Sequence, residues 1–219
     1  MSVSARRSAA VAAVVLALAL VLAGQALGDR VLPGEGNGAL TGSVAGRAGF
    51  AYLTGLRVFA ADLLWNRLDP LGDKYYGHGL KKYRFMVPNI KVITWLDPQF
   101  IDAYYVGPEI LAENGRITDA VAMAREGIAN NPRSGELLGS MAELLIARTK
   151  DHALAASYAD RAMRADTVWR NDDERYDALA VVAVAYKLAD MPQKAAEALR
   201  QQKVLGAKPG FTYAPAVKN

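Results

Sequence analysis

The stretch that decides the fold runs from Asp97 to Pro132 and reads DPQFIDAYYVGPEILAENGRITDAVAMAREGIANNP. Its boundary prolines, Pro98 and Pro132, lie 34 residues apart, which is enough chain for two short helices and a turn. Asp97 suits the N-cap of a helix whose first residue is Pro98, because proline lacks an N–H group that would have no partner there. We therefore expect one helical hairpin between the two prolines.

Both halves of this stretch carry apolar side chains at helical spacing. Gly115 is expected to end the first helix in a left-handed conformation, and Asn130-Asn131-Pro132 to end the second, because the residue before proline avoids the helical region. The apolar positions of the first helix are Phe100, Ile101, Tyr104, Ile110 and Leu111; those of the second are Ile117, Ala120, Val121, Ala124 and Ile128.

The same residues follow a known pattern. With Ile101 as the first position, Ala120 and Gly127 occupy positions where the tetratricopeptide repeat family has small residues, and Pro132 occupies its proline position. Gly115 falls in the family's turn between helices. The hairpin therefore resembles this family, which implies an α-solenoid that binds proteins or peptides and has no catalysis of its own.

The hairpin departs from the family pattern in its first helix. Tyr104 stands where tryptophan is common, and Gly107-Pro108 stands where a Leu-Gly pair is usual. Pro108 removes one backbone hydrogen bond and is expected to kink or split the helix. Two interpretations stay open, a distortion with a local packing cause and a widened groove that accepts a ligand.

The rest of the chain predicts more hairpins of this kind. A divergent one precedes Asp97, with an apolar stripe from Phe50 to Leu64 and a second helix from Tyr75 to Leu96, bent or restarted at Pro88. Another covers Ser134 to Asp166. The sequence thus predicts an all-α protein with about four hairpins over residues 50–205 and an irregular tail over residues 206–219.

The last hairpin is preceded by an insertion from Thr167 to Asp177. Trp169 is expected to pack on the repeats, and Asn171 is expected to cap a helix whose first turn is acidic. A calcium loop is the alternative for this acidic segment, but it lacks the glycine and the glutamate spacing of known loops. The second helix of this hairpin is expected to restart at Pro192.

The N-terminal segment predicts a membrane anchor. Arg6 and Arg7 precede an uncharged run from Ser8 to Gly28, whose 21 residues span roughly 31 Å as a helix. We expect residues 1–28 to form a single transmembrane anchor with a cytoplasmic N-terminus, which places the repeats outside the cytoplasm. A signal peptide cleaved near Ala26 is the alternative. The glycine-rich residues 29–49 are expected to be a flexible linker.

Composition excludes several kinds of function. The chain has no cysteine, so disulfides, zinc–thiolate sites and cysteine nucleophiles are excluded. Its net charge of +4 is too weak to predict nucleic-acid binding. His78 has no histidine or acidic partner at metal-ligand spacing, and His152, at the start of a predicted helix, is interpreted as a packing residue. We expect no metal, no cofactor and no nucleic-acid partner.

Two surfaces are candidates for binding. The family resemblance implies a groove formed by the first helices of the hairpins, at Asp102, Tyr105, Glu109, Leu137, Ser140, Asp177 and Lys187. A basic and aromatic patch before Asp97 contains Lys74, Lys81, Lys82, Tyr83 and Arg84. This patch could contact anionic lipid headgroups or an acidic partner; the alternative is a solvated face with its tyrosines buried in the hairpin.

These features lead to three hypotheses. The first is a non-catalytic, membrane-tethered scaffold that binds proteins as an accessory or assembly subunit of an envelope complex. The second is a transient adaptor for peptides or secreted substrates. The third is an enzyme acting on an envelope carbohydrate polymer, because Asp102 and Glu109 lie seven residues apart on one helical face and could act as a carboxylate pair.

Overall fold

The computed structural model describes residues 55–68, residues 80–208 and Phe211, without the side chain of Lys81. The described residues from Val58 onward belong to one compact unit. The predicted anchor and linker lie outside the described residues. From Gly55 onward, no described helix is both long and apolar enough to cross a membrane.

The described residues are helical, which confirms the all-α prediction for this part of the chain. They contain no β-strand, and their one isolated bridge joins Ser134 to Val168. A 3-10 helix from Leu80 to Met86 and a π-helical turn from Leu145 to Thr149 accompany the α-helices. The α-helices are α1 (Arg57–Leu68), α2 (Val87–Leu96), α3 (Ile101–Glu113), α4 (Ile117–Asn130), α5 (Gly135–Leu144), α6 (His152–Ala162), α7 (Asp172–Leu188) and α8 (Pro192–Gly206).

The hairpin of α3 and α4 forms as predicted at its turn and its end, but not at its start. Gly115 has a φ of +77°, which confirms the left-handed stop, and α4 ends at Asn130. The predicted start at Pro98 was wrong, because α3 begins at Ile101. The Asp97 carboxylate instead accepts the N–H of Gln99 at 2.9 Å, which closes a turn before the helix.

Pro108 does not split α3, which runs through it without interruption. A Cβ atom on Gly107 would lie 2.7 Å from Cε of Met123 in α4 and 3.1 Å from Cγ2 of Ile90 in α2. Pro108 itself is buried. The Gly107-Pro108 pair therefore lies where α3 packs against its neighbours, which favours the packing interpretation over the widened groove.

Other predicted boundaries follow local signals. The helix predicted to bend or restart at Pro88 begins as an α-helix at Val87, and the seven residues before it are a 3-10 helix. Ser134 caps α5, and Asn171 caps α7 by accepting the N–H of Glu174 at 2.8 Å. The helix predicted to restart at Pro192 is α8.

The insertion before α7 is bound to the start of α5. The N–H of Val168 donates to the carbonyl of Arg133 at 2.8 Å, and the N–H of Gly135 donates back to the carbonyl of Val168 at 2.9 Å. The ring of Trp169 covers Gly135 so closely that an added Cβ would lie 2.4 Å from Cε2. The prediction that Trp169 packs on the repeats is confirmed.

The core lies between the helices of the stacked hairpins. Tyr104 is nearly fully buried over Gly127, where a Cβ atom would lie 2.6 Å from Cγ of the ring. Its hydroxyl donates to Oε1 of Glu126 at 2.9 Å, and burial together with this carboxylate raises the pKa of Tyr104 to about 12. The tyrosine hydroxyl therefore has a hydrogen-bond partner at the edge of the core.

Candidate protein-binding face

The first helix of each of three hairpins has one side that is at least partly exposed to solvent. Along α3, α5 and α7, residues three or four apart point the same way, and most of them are half-buried or exposed in the described part of the chain. Packing brings these helices side by side, with Gly139 of α5 against Ala178 of α7. We call this surface the inner face; it comprises Asp102, Tyr105, Glu109, Glu113, Ser140, Glu143, Asp177, Val181, Val184 and Leu188, and Glu136 is buried at its edge.

Arg170 joins two of these helices at one edge of the inner face. Its Nη2 atom lies 2.6 Å from Oδ1 of Asp102 in α3 and 3.2 Å from Oε2 of Glu136 in α5. Its backbone N–H also donates to Oε1 of Glu136 at 3.2 Å. Burial raises the pKa of Glu136, whose side chain is 3% exposed, and the charge of Arg170 opposes that shift.

A second group of carboxylates crosses the middle of the inner face. Burial raises the pKa of Glu109 to about 7, and the negative charge of Glu143 adds to this effect. Arg148 opposes the shift and lies 3.8 Å, from Nη2 to Oε1, from Glu113. Three carboxylates from two helices thus share one guanidinium group.

Glu143 extends this negative region toward α7. Its side chain is exposed overall, but loss of hydration in the crowded face raises the pKa of its carboxyl, and the nearby charge of Asp177 raises it further. Arg148 again opposes the shift. The inner face therefore carries concentrated negative charge on a chain whose net charge is +4.

The remaining part of the inner face is apolar. Val181, Val184 and Leu188 follow Asp177 at spacings of four, three and four residues, so they lie on one side of α7. Val184 is 46% exposed and Leu188 is 45% exposed. Exposed apolar side chains that lie next to one another can contribute to a binding surface.

The structure brings five of the seven predicted groove residues onto the inner face, namely Asp102, Tyr105, Glu109, Ser140 and Asp177. Leu137 is 3% exposed and belongs to the core, where α5 packs against its neighbours. Lys187 is exposed but lies about 100° around α7 from Leu188. Burial therefore removes Leu137 from the inner face, and helical geometry removes Lys187.

Sequence reasoning missed several residues of this face. Glu113, Glu136 and Glu143 were not predicted, although they continue the spacing of three or four residues from Glu109 and Ser140. Val184 and Leu188 continue it in the same way from Asp177. Extending the helical spacing from each predicted residue was the signal that could have found them.

The basic and aromatic patch is described only in part. Lys74 lies outside the described residues, and Lys81 is described only as backbone within the 3-10 helix. The ammonium group of Lys82 lies 5.0 Å from the ring centroid of Tyr83, and Arg84 is exposed. Tyr83 is half-buried, so the tyrosine is neither fully part of the core nor free on the surface.

Comparisons with known proteins leave the family open. No protein-family model matches the sequence, and no curated protein matches it. Among solved structures, the chain is similar to the crystal structure of MamA protein with a TM-score of 0.43 and 13% identity, over 81% of this chain and 100% of that chain. A similarity at this level carries no argument about function. The helical hairpins are shown by the structure itself, and membership of the tetratricopeptide repeat family stays a prediction.

Proposed function

We propose that the protein is a non-catalytic scaffold whose inner face binds a segment of a partner protein. The observation that carries this proposal is the open side of α3, α5 and α7, where charged and apolar side chains are presented together on helices held rigidly by the hairpins behind them. Stacked helical hairpins bury a shared core and leave an extended surface of this kind, which such proteins use for binding.

The proposal includes a membrane tether. The uncharged run of residues 8–28 is long enough to anchor the chain, with the N-terminus in the cytoplasm and the repeats outside it. A scaffold fixed at the membrane would serve as an accessory or assembly subunit of a membrane or envelope complex. A transient adaptor for peptides or secreted substrates remains the alternative.

A photo-crosslinking amino acid placed on the inner face tests the scaffold. Ser140 is a suitable position because it is half-buried at the centre of this face, and Ala122 on the outer side of α4 is the matched control. In cells that produce the chain naturally, we expect a discrete adduct with a partner protein from position 140 and none from position 122. Absence of an adduct, or identical adducts from both positions, would contradict the proposal.

The stability of the complex separates a subunit from an adaptor. After gentle solubilisation of membranes, a permanent subunit should retain its partner in stoichiometric amount through a wash at high salt. A transient adaptor should lose it, because rim contacts between charges weaken as salt screens them.

One observation favours a second candidate function. Glu109 has a pKa raised to about 7 beside Glu143, and a carboxyl group of this kind is suited to acid catalysis near neutral pH. This carboxylate pair is Glu109 with Glu143 and not the predicted Asp102 with Glu109, because Asp102 forms an ion pair with Arg170. An enzyme would be favoured if the protein released reducing ends from cell-wall polysaccharide and Glu109→Gln abolished this release. The same variant should still form the crosslinked adduct from position 140.

A further inference from the structure

The apolar strip of α7 is a surface without a described partner element. Asp177, Val181, Val184 and Leu188 share one side of the helix, and nearly half of each of the last two side chains is exposed. The opposite side of α7 carries Ala178, Leu179 and Val182 into the core. The strip is therefore additional to what folding of the last hairpin requires.

The charge beside this strip indicates what covers it. Glu109, Glu113, Glu143 and Asp177 lie on the same inner face, where Arg148 opposes the pKa shifts of Glu109 and Glu143 and lies 3.8 Å from Glu113. A second copy of this face would place like charges opposite one another, which disfavours a symmetric dimer through it. A cationic partner would be attracted to the same carboxylates.

The edge of the face shows how this chain itself binds a cation there. Arg170 spans Asp102 and Glu136 with distances of 2.6 and 3.2 Å from Nη2, so carboxylates of two neighbouring hairpins can receive one guanidinium group. Arg148, which follows α5, lies 3.8 Å from Oε1 of Glu113 in α3, so a second guanidinium group lies beside carboxylates of this face. The strip lies at the other end of this charged region, on α7.

We propose that the inner face binds a basic amphipathic helix of a partner protein, with lysine or arginine side chains toward Glu109, Glu143 and Asp177 and apolar side chains toward Val184 and Leu188. An amphipathic helix fits because it carries cationic and apolar side chains on different sides. The inner face likewise has its carboxylates in one part and its exposed apolar side chains in another. This inference rests on the proposed function and adds the chemistry of the bound segment.

The test uses the full chain in detergent and a fluorescent 18-residue peptide of leucine and lysine that forms an amphipathic helix. Fluorescence anisotropy should show saturable binding that weakens as salt is added. A peptide of the same composition but scrambled spacing, and an amphipathic peptide with glutamate in place of lysine, should bind at least about tenfold more weakly. Each peptide is also titrated with the detergent alone, so that its partition into micelles can be subtracted.

Matched variants locate the binding surface. Two double variants should each weaken binding by about tenfold: Glu109→Gln with Glu143→Gln, and Val184→Ser with Leu188→Ser. The controls are Asp119→Asn, an exposed acid on α4, and Val204→Ser, an exposed apolar residue on α8; both should bind as the unmodified chain does. Circular dichroism should show unchanged helix content in all four variants.

Three results would overturn the inference. The first is that the scrambled peptide binds as tightly as the amphipathic one, and the second is that Val204→Ser weakens binding as much as Val184→Ser with Leu188→Ser does. The third is that light scattering shows a dimer that only Val184→Ser with Leu188→Ser separates into monomers. If peptide binding fails while Ser140 still forms a partner adduct, the scaffold stands and this inference alone is wrong. If both fail, the proposed function fails as well.

Discussion

Replacing Arg170 with methionine tests whether one guanidinium group stabilises the edge of the inner face. The variant keeps an aliphatic side chain but leaves Glu136 with a charge in a position where its side chain is 3% exposed. Removing one partner of a fully buried ion pair costs about 3–5 kcal/mol, but Arg170 is 45% exposed and water can partly replace it. We expect the free energy of unfolding to fall by about 1–3 kcal/mol at neutral pH and above.

This loss should depend on pH in a defined direction. The folded pKa of Glu136 is already above its ordinary value of 4.5, and Arg170 is the group that limits the shift. Without Arg170 the folded protein holds the proton to higher pH than the unfolded chain does, so stability falls as pH rises above the unfolded pKa. The difference between the variant and the unmodified chain should therefore be smaller near pH 5 than at neutral pH.

Urea denaturation followed by far-ultraviolet circular dichroism measures both quantities. Adding Glu136→Gln to the variant should recover most of the lost stability, because it removes the unpaired charge. Arg164→Met is the matched control, since Arg164 forms an exposed ion pair with Asp166 and should contribute little. A loss that is equal at both pH values, or that Glu136→Gln does not recover, would refute the electrostatic reasoning.

Three further predictions concern stability. Glu109→Gln should raise the free energy of unfolding by about 1–2 kcal/mol above neutral pH. The folded pKa of Glu109 is about 7 and its ordinary pKa is 4.5, so the unmodified chain loses stability as the pH rises from the lower value to the higher one. Denaturation curves whose pH dependence is the same in both proteins would contradict this. Gly127→Ala should destabilise by about 1–3 kcal/mol despite the better helix propensity of alanine, because the new Cβ would meet the ring of Tyr104 at 2.6 Å; thermal unfolding measures it, and an unchanged midpoint would show that the ring moves freely. Asn171→Ala should cost about 1 kcal/mol by removing the cap of α7, whereas Asp173→Ala keeps the cap and should cost less.

Local signals in the sequence predicted the ends of helices well. Gly115, Asn171 and Pro192 each act within a few residues, through a left-handed conformation, a side-chain cap and a fixed φ, so no distant contact is needed to predict their effect. Asp97 shows the limit of such signals. A cap and a turn use the same carboxylate and nearby N–H groups, and the sequence does not decide between them.

The candidate site was harder to predict because burial and charge act through space. Helical spacing identified the exposed side of α3, but the burial of Leu137 depends on how α5 meets its neighbours. Glu136 follows the same sequence pattern as an exposed acid, yet it is buried under the segment that carries Arg170. Only the packing of the insertion on α5 makes this residue an ion-pair partner.

By itself, the sequence determined an all-helical chain of hairpins over the described residues, since propensity, caps and turns are properties of neighbouring residues. Tertiary structure alone decided that Arg170 reaches Asp102, 68 residues away, and that Glu109 shares its surroundings with Glu143. The physical reason is that a carboxyl group's pKa depends on nearby charges and on the loss of water around it. Both are fixed only when the hairpins pack together.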